Sequence, residues 1–336
     1  MRLKLLLILL AAAALTAAVP TPQSHFGHEI GADRTVLDWD RVVSYFRALE
    51  KESPRVRVQE LGKTAEGRPL IAAFIAAPET LQHLDRYIEI QKKLADPRIT
   101  PPAELDPLIA KGKTVVMITC SIHSTELAST HTAVEFAWRL ITEDKPRFRA
   151  ILENTILILV PSLNPDGVDI VTQWYRKTLG TPFEGTSPPQ LYHKYVGHDN
   201  NRDWYILSQP ETRLVIGKLH NVWHPQIVYD VHQQQYNASR IMAPPWLDPI
   251  EPNIDAILMN PDKEPVPTDA CAQYAVAGAL AYAATANNFD CAYRYLKRMP
   301  TEFAVFSVRD AMLRTPDLKH TPAFTQWAIE HHSVLS

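Results

Sequence analysis

Glycine and cysteine are scarce in this sequence of 336 residues. It contains 11 glycines and three cysteines, against 27 prolines. Neither of the glycine-rich phosphate-binding patterns, GxGxxG and GxxxxGK[ST], occurs. The net charge is −3, from 34 basic and 37 acidic residues, with no long run of one sign. A dedicated DNA-binding protein normally carries a basic excess, so we do not expect nucleic acid as a partner.

The three cysteines are an odd number and form no CxxC pair. Cys120 lies in an apolar run, where a buried thiol is expected. Cys271 and Cys291 could form a disulfide, but the sequence alone does not decide whether they do.

The N-terminus has the composition of a secretion signal. Its first four residues carry two positive charges, and the following stretch of about 15 residues is uncharged and mostly Leu and Ala. Small residues at Thr16, Ala17 and Ala18 suit a cleavage site. A membrane-spanning helix needs about 20 apolar residues. We therefore predict a signal peptide over 1–18, a loose segment over 19–35, and a secreted or periplasmic protein without stable membrane insertion after cleavage.

Apolar strand-like runs alternate with helical patterns along the rest of the chain. This alternation predicts an α/β fold, a three-layer sandwich with a mixed, largely parallel sheet flanked by helices. No repeat or linker divides the chain, so we predict one domain over 36–336. The strands are predicted at 56–61, 70–76, 114–122, 156–160 and 227–231, and the main helices from Asp38 to Pro54, at 125–142 and at 214–222.

Metal-binding side chains follow two of the predicted buried strands. His123 and Glu126 come after the run 114–122, and His232 comes directly after the run 227–231. Ligands of open α/β sheets bind beyond the carboxyl ends of the strands. A His-x-x-Glu pair alone is expected by chance in a sequence of this composition. With a second imidazole at another strand end, however, the set matches the ligands of a catalytic zinc site.

Further motifs along the chain make the pattern specific. In order and spacing they resemble those of the carboxypeptidase A-like zinc carboxypeptidases, over about residues 36–257. No single motif would be specific alone. The matching segments are the Glu-Gly-Arg-Pro turn at Glu66–Pro69, His123–Glu126, Asn-Pro-Asp-Gly at Asn164–Gly167, Tyr-Arg-Lys-Thr at Tyr175–Thr178, the Asp-Asn-Asn-Arg stretch at Asp199–Arg202 and His232.

The resemblance implies a ligand set for one Zn²⁺ ion. His123, Glu126 and His232 would hold it and leave one coordination position for a water molecule. Asp199 would accept a proton from one of the ligand imidazoles.

The resemblance also implies how a substrate would be held. Asn201 and Arg202 match the pair that grips the terminal carboxylate, a group that suits the guanidinium fork. Arg176 matches the residue that stabilises the oxyanion of the tetrahedral intermediate. We interpret Asn164–Gly167 as a structural turn that positions the following loop.

The general base is the least defined element of the pattern. Glu302 precedes a strand-like stretch 70 residues after His232, where the resemblance places this carboxylate. The family pattern fades beyond about residue 257. Thr125 also replaces an arginine that often precedes the ligand glutamate.

The sequence as a whole predicts a zinc-dependent metallocarboxypeptidase acting on a peptide or amide with a free carboxylate. Two alternatives stay open. One is a zinc amidohydrolase acting on acyl amino acids or cell-wall peptides. The other is a catalytically impaired peptide-binding relative that lacks the general base.

Overall fold

A five-stranded sheet organises the fold. The computed structural model describes residues 18–233, except for 97, 192 and 194–198. The strands are β1 Val56–Lys63, β2 Pro69–Ile75, β3 Thr114–Cys120, β4 Thr155–Val160 and β5 Ile227–Val231. The helices are α1 Pro22–Phe26, α2 Trp39–Glu52, α3 Pro78–Leu81, α4 Leu84–Ala95, α5 Pro102–Lys111, α6 Leu127–Thr142, α7 Pro146–Asn154, α8 Pro165–Thr178, α9 Asp203–Ile206, α10 Pro210–Val215 and α11 Asn221–Trp223, with a 3₁₀ turn at Asn200–Arg202 and a π-helical turn at Ile216–His220.

The strand order in the sheet is β1-β2-β4-β3-β5. β3 pairs in parallel with both β4 and β5, whereas β2 pairs antiparallel with β1 and with β4. Four of these five strands therefore point in one direction. The prediction of a mixed, largely parallel sheet is confirmed.

Helices cover both faces of the sheet. Along β3, Val116 and Ile118 face a core shared with α2, α6 and α7, while Val115 and Met117 face a second core shared with α3, α4 and α11. Alternate residues of a strand point to opposite faces, so a continuous apolar run suits a strand buried on both sides. The predicted three-layer α/β sandwich is confirmed.

Helices α5, α7 and α8 are among those that fall where the sequence predicts none. Helix α5 lies in the proline-rich bridge, and none of its residues is buried. Helix α7 follows α6 and starts with Pro146 in its first turn. Helix α8 begins within the motif that we interpreted as a turn before a loop. That interpretation is wrong, because the Asn164 side chain accepts a hydrogen bond from Gly167 N at 3.0 Å and caps the helix.

The turn between β1 and β2 is fastened to the start of α8 by Arg68. Its guanidinium donates to Asp169 at 2.6 Å, to Asp166 at 2.9 Å and to Glu66 at 3.1 Å. Thr64 donates to Asp166 as well, at 2.6 Å. The Glu-Gly-Arg-Pro motif thus has a structural role here, since it joins the β1–β2 hairpin to α8.

Cys120 is a buried free thiol, as predicted. Residues 1–17 of the predicted signal peptide, together with Cys271 and Cys291, lie outside the described residues. Within the described part of the chain, no helix is both long enough and apolar enough to cross a membrane.

Candidate metal centre

Two of the predicted ligands lie in the turn between β3 and α6. Glu126 N donates to His123 O at 2.9 Å, which closes the turn, and Glu126 is the residue immediately before α6. Ser121 begins the turn with a φ of 49°, in the left-handed region. This conformation bends the chain sharply at the end of β3, so that both side chains stand at the carboxyl edge of the sheet.

Buried hydroxyl groups hold this turn in place. Ser121 N donates to Ser129 Oγ at 3.0 Å, and the Ser121 and Ser129 hydroxyls are 2.7 Å apart. Thr130 Oγ1 is 2.8 Å from Ser121 Oγ and also donates to Pro161 O at 2.8 Å. These contacts connect α6 and the end of β4 to the turn without using either ligand side chain.

The third predicted ligand arrives from the neighbouring strand. Cys120 of β3 is paired with Val231 of β5, so His232 follows directly beside the turn. Nδ1 of His123 lies 3.0 Å from Glu126 Oε1, and Nδ1 of His232 lies 3.1 Å from Glu126 Oε2. One ligand atom from each of the three residues lies within 4.8 Å of the others. Two imidazole nitrogens and a carboxylate oxygen at this spacing fit a zinc ion.

The carboxylates and imidazoles of this cluster shift one another's pKa values toward the charged forms. Burial favours the neutral form of Glu126, but hydrogen bonds from His123 and His232 outweigh it and lower its pKa to about 2. The hydrogen bond with Glu126 raises the pKa of His123, against the opposing effect of burial and with help from Asp199. Asp230, followed by Glu126, raises the pKa of His232 to about 10. The site therefore favours positive charge between its carboxylates.

Each imidazole has a second carboxylate on its outer nitrogen. Asp199 Oδ1 lies 2.8 Å from His123 Nε2, the contact that the sequence predicts for Asp199. Asp230 Oδ2 lies 3.2 Å from His232 Nε2. Sequence reasoning missed Asp230, although a signal was available. Asp230 is in β5, two residues before His232, and residues two apart in an extended chain point to the same face.

The two predicted carboxylate-binding residues also lie at the cluster. Asn201 N donates to Asp199 Oδ1 at 2.8 Å, and its side-chain amide lies 3.2 Å from His232 Nε2. Arg202 is exposed, and its charge contributes to the lowered pKa of Asp199. Burial of Asp199 opposes this lowering, and the hydrogen bond with His123 is the main cause of it. The 3₁₀ turn thus places the Asn201 amide against His232 and the Arg202 charge close enough to Asp199 to lower its pKa.

Arg176 is not brought to this cluster. Its guanidinium donates to Asp38 Oδ1 at 2.6 Å and to Val36 O at 3.0 Å. It lies in the last turn of α8, about 16 Å along the helix axis from Pro165 at a rise of about 1.5 Å per residue. The oxyanion role of Arg176 stays a prediction. The predicted general base, Glu302, lies outside the described residues.

A family model and several solved structures match this chain. Residues 42–237 match the family model described as zinc carboxypeptidase. A metallo-carboxypeptidase from Burkholderia cenocepacia is 20% identical with a TM-score of 0.39, covering 59% of this chain and 42% of that one. Carboxypeptidase A from Helicoverpa armigera is 18% identical with a TM-score of 0.36, covering 60% of this chain and 47% of that one.

The metallo-carboxypeptidase from Pseudomonas aeruginosa is 18% identical with a TM-score of 0.34, covering 58% of this chain and 38% of that one. This chain therefore spans less than half the length of each of the three structures. No curated protein matches it. The family model, however, covers more than half of the 336 residues, and it includes all three candidate ligands. The chain belongs to the zinc carboxypeptidase family.

Proposed function

We propose that this protein is a zinc-dependent metallocarboxypeptidase that hydrolyses the C-terminal bond of a peptide, or a related amide with a free carboxylate. The observation that supports this best is the convergence of His123, Glu126 and His232, with ligand atoms within 4.8 Å of one another. Each imidazole also has a carboxylate at its outer nitrogen, an arrangement typical of catalytic zinc sites.

His123, Glu126 and His232 would hold the zinc through two Nδ1 atoms and a carboxylate. Three protein ligands leave one coordination position open. When bound, zinc lowers the pKa of water toward 7 and polarises the carbonyl of a substrate. Asp199 accepts a hydrogen bond from the Nε2–H group of His123, and this leaves the Nδ1 lone pair of His123 directed at the cluster.

Arg202 would select substrates with a free terminal carboxylate. Its exposed guanidinium stands beside Asp199, one residue from Asn201, and among the described residues it makes no side-chain hydrogen bond. A planar guanidinium binds a carboxylate through two parallel hydrogen bonds. This role does not require Arg176, whose guanidinium is bound to Asp38.

Zinc content and substrate preference test the proposal together. We expect the full-length protein to contain one zinc ion and His123→Ala to contain none. We also expect peptides with a free C-terminus to be cleaved, whereas the same peptides with a C-terminal amide are cleaved poorly. Arg202→Met should lower kcat/KM for the free acids roughly 10- to 100-fold, the loss of a charge-assisted hydrogen bond, and leave the amides unaffected.

Arg213→Met is the matched control for Arg202→Met. Arg213 is an exposed arginine of α10 that donates to the carbonyls of Leu207 and Ser208, so we expect its removal to leave the preference for free acids intact. Glu302→Gln, with zinc retained, tests the predicted general base: hydrolysis should be abolished.

Three outcomes would contradict the proposal. If the wild type contains no zinc, or if His123→Ala contains as much zinc as the wild type, the three residues do not form the proposed zinc site. Faster hydrolysis of acyl amino acids than of peptides would indicate the amidohydrolase alternative. Zinc and peptide binding without hydrolysis of any substrate would indicate an impaired binding relative.

A further inference from the structure

The side chain of Asp230, on strand β5, contacts His232, the residue that follows this strand. Asp230 of β5 is the register partner of Thr119 on β3. The fully buried Thr119 hydroxyl donates to Asp230 Oδ1 at 2.8 Å. The other oxygen, Oδ2, lies 3.2 Å from His232 Nε2. Thr119 therefore orients the Asp230 carboxylate, so that one oxygen is available to the imidazole.

A second group competes for the same nitrogen. The Asn201 side-chain nitrogen, Nδ2, lies 3.2 Å from His232 Nε2. Trp204 Nε1 donates to Asn201 Oδ1 at 3.0 Å, and this contact fixes which end of the amide faces the imidazole. His232 Nε2 thus lies between a hydrogen-bond donor, Asn201, and a hydrogen-bond acceptor, Asp230.

The two contacts require different tautomers of His232. To accept from Asn201, Nε2 must carry a lone pair, and the proton of the neutral ring then lies on Nδ1, facing Glu126. To donate to Asp230, Nε2 must carry the proton, and Nδ1 is left with its lone pair toward Glu126 and His123. Only the second tautomer offers a ligand atom to a metal ion through Nδ1.

We propose that Asp230 is a positioning residue that holds His232 in the tautomer able to bind metal, against the competing hydrogen bond from Asn201. A hydrogen bond to a carboxylate is stronger than one between neutral groups, so the pair with Asp230 prevails over the pair with Asn201. Once Nε2 carries the proton, the Asn201 amide no longer donates to it and is available to a bound carboxylate.

The proposal deepens the proposed function and rests on it, because it concerns a ligand of the same metal site. Asp230 would orient His232 as Asp199 orients His123, whose Nε2 lies 2.8 Å from Asp199 Oδ1. Each ligand imidazole then has its own orienting carboxylate, one from the loop before the 3₁₀ turn and one from strand β5. Carboxylates in this position change metal affinity 10- to 100-fold in other zinc sites.

Zinc affinity of the full-length protein, measured by competition with a chelator, tests the proposal. We expect Asp230→Ala to weaken zinc binding roughly 10- to 100-fold. Asp230→Asn should weaken it less, since an amide oxygen can still accept the Nε2 proton. Asp144→Asn is the matched control. This carboxylate is exposed and paired with Arg149, and its removal should leave zinc affinity unchanged.

A spectroscopic signal separates positioning from a general loss of structure. In the cobalt-substituted protein, the Nε2 protons of the two ligand imidazoles give exchangeable, shifted NMR signals. Asp230→Ala should accelerate solvent exchange of one of them and leave the other intact, whereas Asp199→Asn should do the reverse. If Asp230→Ala had the zinc affinity of the wild type and the wild-type exchange rates for both Nε2 protons, the proposal would be overturned.

Thr119→Val provides a second test should Asp230→Ala fold poorly. It keeps the carboxylate but removes the hydroxyl that orients it, so we expect a smaller loss of zinc affinity and faster exchange of the same proton. Wild-type zinc affinity and exchange in Thr119→Val would contradict the orienting contact. If the variants change zinc affinity and proton exchange as expected but the wild type hydrolyses no peptide, only the proposed function is contradicted. If the wild type binds no zinc, both the proposed function and the role of Asp230 are overturned.

Discussion

Two clusters of three carboxylates are built from different motifs, and they are neutralised by different groups. Glu66, Asp166 and Asp169 surround Arg68, which donates to all three. The second cluster, formed by Glu126, Asp199 and Asp230, surrounds two imidazoles. Within residues 18–233, outside the small gaps, no lysine or arginine side chain hydrogen-bonds this second group. A cluster built around a permanently charged guanidinium stabilises the fold, whereas one built around imidazoles, which can give up a proton to make room for a ligand bond, is suited to bind a metal ion.

Removing the internal cation should produce the largest change in stability. Arg68→Met leaves the 4%-exposed side chain of Asp166 beside two other carboxylates without a counter-charge. We expect the free energy of unfolding to fall by about 3–5 kcal/mol, as measured by urea denaturation. The remaining folded protein should still bind one zinc ion.

Arg98→Met is the control for that variant. Arg98 also makes two hydrogen bonds to a carboxylate, that of Asp96, but its side chain is 87% exposed. The free energy of unfolding should be nearly unchanged, because an exposed ion pair contributes little to stability. Equal losses in the two variants would remove the distinction between a buried cluster and a surface pair.

Adding zinc should raise the free energy of unfolding of the protein by binding at the second cluster and not at the first. Free zinc at about a hundredfold excess over its Kd raises the free energy of unfolding by about 2.7 kcal/mol. We expect this gain in the wild type and in His83→Ala, whose histidine is exposed, but not in His232→Ala. A zinc response that persists in His232→Ala would place the metal elsewhere.

His131 shows what burial does to an imidazole without a carboxylate partner. Burial, with a smaller effect of His28, lowers its pKa from 6.5 to about 4, and its Nε2 accepts from Leu37 N at 3.2 Å. The unfolded chain therefore binds a proton more readily than the folded protein. The stability that His131 contributes is present above pH 6.5 and is lost as the pH falls toward 4.

This linkage amounts to about 2 kcal/mol at pH 5 relative to pH 8. In His131→Gln, whose amide oxygen can still accept from Leu37 N, the decrease in the free energy of unfolding between pH 8 and pH 5 should be smaller by that amount. Urea denaturation at the two pH values measures it. Parallel pH dependence in both proteins would show that His131 is not the titrating group.

The smallest effect is expected at Arg176. The Arg176–Asp38 pair is 44% and 30% exposed, so a double-mutant cycle with Arg176→Gln and Asp38→Asn should give a coupling of at most about 1 kcal/mol. From the observed contacts we expect kcat to be unchanged in Arg176→Gln. A 10²- to 10³-fold loss of kcat would instead support the oxyanion role that the sequence predicts.

The sequence predicted the parallel strands β3, β4 and β5 and the convergence of the three candidate ligands for one physical reason. Strands β3, β4 and β5 are apolar runs, and polar side chains directly after them must emerge at the carboxyl edge. Helix α5 was missed because it has Pro102 in its first turn and Pro107 in its interior, where a proline ordinarily interrupts a helix.

Helix α8 was missed because Asn, Pro, Asp and Gly occur in turns as well as at the first positions of helices. Tertiary contacts decide between the two. Asp166, at the start of α8, is held by Arg68 and Thr64. Helix α8 also carries the Arg176 side chain along its axis to the contact with Asp38. Asp230 was missed although it lies two residues before His232 in the sequence; its orientation by Thr119, in contrast, follows only from the pairing of β5 with β3.

The hydroxyl groups beneath the ligand turn have a consequence for the metal-free protein. Ser121, Ser129 and Thr130 bind one another and Pro161 O, and none of these contacts involves a ligand side chain. The amide of Ser121 should therefore exchange slowly with deuterium whether or not zinc is present. A chelator should strip the metal without disordering its binding site, and zinc added back should restore the site without a refolding step.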